Sequence, residues 1–342
     1  MVDEGSTRTL ELSSHPGYHR PGLPRLERIN LRQVDRDEQL DGLFVAGDVD
    51  VREGPRADAE EGTAGTRGNG RPGARMQTRP SRTVRALGLS LLGSKGGADV
   101  RFVPAFQDER VRRAVGHALD RDALLAVDGS TLAGPVGPAH RGDALVEREL
   151  RTFAAYRHDP ATAQALLAAA GASGLPFTID VPDRAPLLAL GRLIADQLRA
   201  AGFAPSARVR PMEEVAAATE AGDFEAIVTE LGPHNTADRE LRLHTSAGVD
   251  GGFSPWGYSN PVYDAAVREA LSAPDPAERA ERARAAQRLL LNDRPALLPI
   301  GAPTEVALVA SEVSGYEFGA YEFNSAWLSA RWEVTAVGPA TP

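Results

Sequence analysis

Arg184 stands in the run VPDRAPLL, at the junction of an alternating stretch and an apolar helical one. A planar guanidinium at such a junction can hold a carboxylate with two parallel hydrogen bonds; the alternative is a surface arginine in a loop. The run LGPHNTADREL puts His234, Asn235 and Asp238 just after an apolar strand, with Asp238 equally placed to cap the following helix. Trp256 and Tyr258 in GGFSPWGYSNP are rigid aromatic surfaces. As pocket walls they orient a ligand at little entropic cost, and as packing they fill a core or its rim.

Residue patterns for bond-making chemistry are thin. GLSLLGSKGG runs Ser94-Lys95 into Gly96-Gly97, whereas a phosphate loop needs Gly-Lys-Ser/Thr opening a helix. There is no G-x-S-x-G elbow and no H-E-x-x-H pair. His15 and His19 are four apart, but Pro16 and Gly17 between them argue against a shared helix face. The acidic pairs Glu60-Glu61 and Glu213-Glu214 read as solvated charge in a loop and at a helix start. No catalytic residue, metal site or cofactor is expected.

These residues need a scaffold, and 342 residues can bury a substantial core in two domains. A net charge of -9 argues against nucleic acid as a partner. With no cysteine, disulfides, thiolate metal sites and a Cys nucleophile are excluded, and the redox compartment stays open. Residues 1–30 carry no apolar signal-peptide core, and no run approaches the ~18 apolar residues of a membrane span.

Periodicity supplies the elements. Val111, Ala114, Val115, Ala118 and Leu119 form one apolar helix face, with Asp108 as N-cap and Arg110, Arg112, Arg113 and His117 on the expected wet face. Asp120 or Asp122 caps a second short helix. Asp159, Pro160 and Gly171 mark the cap, first turn and end of the next, and Gly202 ends the helix that follows Arg184. PFTIDVPD, ARVRPM and EAIVTEL are strands between helices, and LERINLRQV, TVRALGLSLLG, PALLPIG, TEVALVAS and VSGYEF are further strands. LDGLFVAGDVDV reads as a helix stopped by Gly47, then a strand Val49–Val51. Residues 53–82, poor in large apolar side chains, read as a flexible loop. The alternation indicates α/β units.

The order of these pieces resembles the family-5 extracytoplasmic solute-binding proteins of ABC transporters, the peptide- and nickel-binding group. PGYHRPGLPRLERINLRQVDRDEQLDGLFVAGDVDV looks like the family's linker, strand, helix and strand, with Gly47, Asp48, Val49 and Asp50 in its Gly-Glu-Ile-Asp positions. QDERVRRAVGHALDRDALL matches its Asp-x-x-Val-Arg-x-Ala helix, and HDPATAQALLAAAG matches its Asp-Pro-x-x-Ala helix. AGDFEAIV, YSNPVYDAAV and Ala286-Gln287 before RLLLNDRPALLPI complete the series.

The resemblance implies a type II periplasmic-binding-protein-like α/β fold with two lobes. Residues 108–302 would form a complete second lobe, and residues 1–107 and 303–342 the returning parts of a first lobe left incomplete because the family's usual N-terminal portion is missing. It implies capture of a peptide or similar small ligand in an inter-lobe cleft without chemistry, an ABC permease as partner, and an extracytoplasmic location. Some dipeptide-binding relatives place an arginine for the ligand carboxylate where Arg184 stands. The family often has Gly-Trp and an Asp-containing loop after the strand EAIVTEL to meet a ligand amine. Here LGPHNTADREL lacks the tryptophan, while His234, Asn235 and Asp238 remain as polar candidates for the amine clamp. The absence of a signal peptide and this altered loop leave a cytoplasmic enzyme or sensor on the same lobe, or a truncated non-functional relative, as the other readings.

Overall fold

A computed structural model of the chain describes residues 8–34, 37–55, 71–95, 98–246, 254–293, 296–319 and 325–335. In chain order the elements begin with β1 (Arg8–Ser13), β2 (Arg28–Gln33), α1 (Asp37–Ala46), β3 (Val51–Pro55), β4 (Arg75–Pro80) and β5 (Val84–Leu89). The short strands β6 (Ser94–Lys95) and β7 (Ala98–Asp99) lead to α2 (Glu109–Ala118), α3 (Arg121–Ala126), β8 (Thr131–Leu132), α4 (Glu147–Leu150) and α5 (Pro160–Ala169). Then come β9 (Pro176–Pro182), α6 (Ala185–Ala200), β10 (Ala204–Arg210), α7 (Met212–Ala221), β11 (Ala226–Leu231) and α8 (Ala237–Arg242). The chain continues with α9 (Pro261–Ser272), α10 (Pro276–Asn292), β12 (Leu297–Ala302), β13 (Thr304–Val309), β14 (Val313–Ser314) and β15 (Glu333–Val334).

The chain divides into two compact units, residues 1–79 with 304–342, and residues 80–303. Residues 80–107 were expected with the first lobe; they belong to the second unit. The reason is β5, which pairs antiparallel with both β11 and β12 and so lies inside that unit's sheet.

In the first unit β13 is the middle strand of a three-stranded sheet, flanked by β3 and β4. Phe44 of α1, Val306 to Ala310, Tyr316 and Trp332 make its core. The flexible-loop reading of residues 53–82 fails at both ends, where β3 and β4 pair with β13; residues 56–70 lie outside the described residues. Polar side chains hold β4 without large apolar ones. Arg79 donates to Glu305 at 2.5 Å and stacks on Phe318 at 4.5 Å. The strand expected over VSGYEF shrinks to β14.

The second unit is a six-stranded sheet in the order β10-β9-β11-β5-β12-β8. β10, β9 and β11 are parallel, and β5, β12 and β8 join antiparallel. Because side chains alternate along a strand, β5 sends Leu87 and Leu89 to one core and Ala86 to the other. β11 likewise divides Ala226 and Val228 from Ile227. Helices α2, α5 and α6 cover the first face, and α7, α9 and α10 the second. This covering of both faces explains why β5 and β12 are buried along their whole length, Arg85 included.

Local signals predict these helices well. Asp108, Asp120 and Asp159 each accept from a backbone N–H in the first turn of α2, α3 and α5. The wet face assigned to α2 is a partial miss. His117 is buried, and Arg112 and Arg113 are half-buried, because residues 154–156 and β12 pack against that side.

Candidate functional site

β11 ends where β5 begins, and Glu230 and Arg85 are register partners across that pair. Arg85 Nε donates to Glu230 Oε1 at 2.9 Å, and its Nη1 meets Asp128 Oδ2 just beyond α3. The second oxygen of Glu230 accepts from Nη2 of Arg184. Two acids and two arginines therefore alternate in one line: Asp128, Arg85, Glu230, Arg184. The side chains of the first three are 9%, 8% and 13% exposed, and that of Arg184 is 51% exposed. Buried charges persist only when paired, so the inner three hold one another and the line ends on a guanidinium open to water. Arg184 is the N-cap residue of α6 at the carboxyl end of β9. That is where open parallel sheets take ligands.

A second cluster forms over the start of β5. Gly232 has φ +113°, and a Cβ there would stand 2.6 Å from the Arg82 carbonyl, so only glycine fits the turn leaving β11. The turn returns His234, whose N–H donates to the Arg82 carbonyl at 3.4 Å, while the Asn235 carbonyl accepts from Arg82 Nη1 at 2.9 Å. His234 Nδ1 and His140 Nε2 face Glu240 Oε1 of α8 at 3.9 and 3.5 Å, beyond good hydrogen-bond distance. The other oxygen of Glu240 accepts from Gly137 N–H at 2.6 Å. Those two imidazole nitrogens and Glu240 Oε1 are buried with no hydrogen-bond partner among the described residues. Burial pushes the pKa of His234 down, against the opposing pull of Glu240. Among the described residues no three His, Asp or Glu side chains are arranged to hold a metal ion.

Arg184, His234, Asn235 and Asp238 thus lie on segments around one set of strand ends. Asp238 is in the first turn of α8 but does not cap it, since Thr236 occupies that place. Trp256 and Tyr258 fall elsewhere. Trp256 is fully buried, edge-on to Phe224 at 5.8 Å. Tyr258 is buried beside it in the same core, its hydroxyl donating to Asp293 at 2.5 Å. Neither ring offers a face to solvent, and the packing alternative describes both. Sequence reasoning passed over Arg85, Asp128, Glu230, His140 and Glu240. Two signals were present: Arg85 is the single charge in VRALGL, and Glu230 is the acid near the end of AIVTEL.

Residues 1–253 match the family model of the bacterial extracellular solute-binding proteins, family 5 Middle. The chain belongs to that family. As a family-5 solute-binding protein it has the expected periplasmic-binding-protein-like α/β fold. The ABC transporter substrate-binding protein CtaP of Listeria monocytogenes superposes with a TM-score of 0.76 at 16% identity, covering 96% of this chain and 64% of that one. HbpA2 of Haemophilus parasuis gives 0.77 at 17% identity, covering 96% and 62%. DppA of Helicobacter pylori, solved with the peptide STSA, gives 0.69 at 18% identity, covering 95% and 60%. The chain therefore spans under two thirds of the length of these relatives. No curated protein sequence matches it. The family consists of binding proteins, its members are extracellular, and no helix among the described residues is long and apolar enough to cross a membrane.

Proposed function

We propose that this family-5 protein binds a small ligand bearing a carboxylate, of the peptide class, at the strand ends of its second unit, and performs no chemistry on it. One observation carries the reading: Arg184 is the exposed end of a charge line whose inner members are buried and mutually paired. A ligand carboxylate would replace Glu230 on the outer guanidinium, while Arg85 keeps Glu230 from being stranded. The relative solved with the peptide STSA supports the ligand class. An ABC permease as the recipient, and a location outside the cytoplasmic membrane, follow from the same family reading.

Calorimetric titration with a pool of short peptides tests it, run beside the same pool with amidated C-termini. Binding of the free acids, and its loss on amidation and in Arg184→Ala, is the expected result. Equal binding of both pools would overturn the carboxylate assignment.

A further inference from the structure

On another part of the second unit a small cavity opens between α2, residues 154–156 and β12. Its volume is about 20 Å³, room for one or two water-sized atoms. Three arginines line it, Arg112 and Arg113 from α2 and Arg121 from α3, together with His117. None of the residues lining it is acidic.

Arg121 is the decisive member. It is 4% exposed, stacked 4.4 Å from the ring centre of Tyr156. Its Nε donates to the Pro299 carbonyl at 3.2 Å, and Nη1 reaches the Gly116 carbonyl only at 3.5 Å. A guanidinium carries five N–H donors and does not lose its charge in a protein. Most of those donors, and the whole charge, are left to one aromatic face and two carbonyls. No carboxylate pairs with Arg121 or with Arg113 among the described residues, and the Arg113 Nε is buried with no hydrogen-bond partner. Tyr156 cannot serve as a donor to an anion, because its hydroxyl is given to the Ala133 carbonyl at 2.8 Å. His117 presents Nδ1 to the Arg157 carbonyl at 3.1 Å.

A buried cation that can neither deprotonate nor find an acid is costly, and a cation–π contact offsets only part of that. We propose that the cavity is a binding site for a small monovalent anion, a halide or nitrate ion or the carboxylate head of a larger molecule. Arg121 and Arg113 supply the N–H donors. The small volume selects against phosphate esters and other bulky anions. The low-dielectric walls strengthen the attraction beyond what a surface arginine achieves.

The test is the ³⁵Cl NMR line width of chloride with the purified full chain, at an ionic strength held constant with a bulky sulfonate. Saturable broadening that bromide and nitrate relieve, and the sulfonate does not, is expected. Arg113→Gln should remove at least about fivefold of the excess broadening, a loss of roughly 1 kcal/mol, while Arg110→Gln on the exposed side of α2 keeps it. Relief by acetate as well assigns the site to carboxylate heads; relief by bromide and nitrate alone assigns it to inorganic anions, and either upholds the proposal. Broadening that does not saturate, that the sulfonate relieves equally, or that survives in a folded Arg113→Gln chain overturns it. Should Arg113→Gln fail to fold, saturation and the sulfonate control on the unaltered chain decide alone.

Discussion

Arg85 and Glu230 face each other across the antiparallel pair of β5 and β11, joined from Nε to Oε1 at 2.9 Å. Removing the arginine leaves the buried Asp128 without a cationic partner and the part-buried Glu230 with Arg184 alone. Arg85→Ala should lower unfolding stability by about 3–5 kcal/mol, the range for breaking a buried ion pair. Urea unfolding measures it, and a loss under 1 kcal/mol would show that the line of charges is not what holds these strand ends.

At the exposed end of the same line the balance is different. Arg184→Ala should cost under about 1 kcal/mol of stability, because its side chain is half in water. Ligand affinity should fall roughly tenfold to a hundredfold, the worth of a charge-assisted hydrogen bond to a carboxylate. Paired unfolding and binding curves on one preparation separate the two. A large stability loss with intact binding would reverse the roles assigned here.

Trp256 lies over Gly88, so closely that a Cβ built on Gly88 would overlap the indole ring. Gly88→Ala must push the fully buried ring aside or bend β5, at a cost of about 1–3 kcal/mol. Lowered thermal stability with altered tryptophan fluorescence is the expected outcome. A variant as stable as the parent, with an unchanged emission spectrum, would contradict this packing.

Three histidines make stability depend on pH. Burial pushes the His244 pKa down from 6.5 to about 3, and burial also lowers those of His117 and His234. A base whose folded pKa is depressed takes up protons more readily when unfolded. Its contribution is complete above pH ~6.5 and declines as pH falls toward the folded value. His244 alone should remove about 2 kcal/mol between pH 7 and pH 5. Melting temperature followed across that interval should fall, and His244→Gln should flatten the curve; a flat curve in the unaltered chain refutes the account.

Asn260 caps α9 by accepting from the N–H groups of Val262 and Tyr263, and its Nδ2 donates to Asp293 at 2.9 Å. Asn260→Ala should therefore cost more than the usual ~1 kcal/mol of an N-cap. Asn260→Asp keeps the cap but sets a second carboxylate against Asp293, and chemical denaturation should rank it between the parent and the alanine variant.

Helix starts and stops were legible in the sequence because they rest on contacts within one turn. Asp108, Asp120 and Asp159 cap through their own neighbours, and Gly171 and Gly202 adopt φ of 66° and 94° at the ends their positions announced. The α/β alternation and the order of local patterns were likewise enough to name the family.

What the tertiary structure alone decided is which groups meet. Periodicity places Arg112, Arg113 and His117 opposite the apolar face of α2, but only packing determines that residues 154–156 and β12 cover them. Trp256 is equally plausible as wall or core until β5 passes beneath it with Gly88. Arg184 became one end of a buried line because Arg85 and Glu230, 145 residues apart in the chain, are register partners. Local propensity acts within a few residues, whereas strand pairing and desolvation of charge depend on partners distant in sequence, so the caps were readable and the charge line was not.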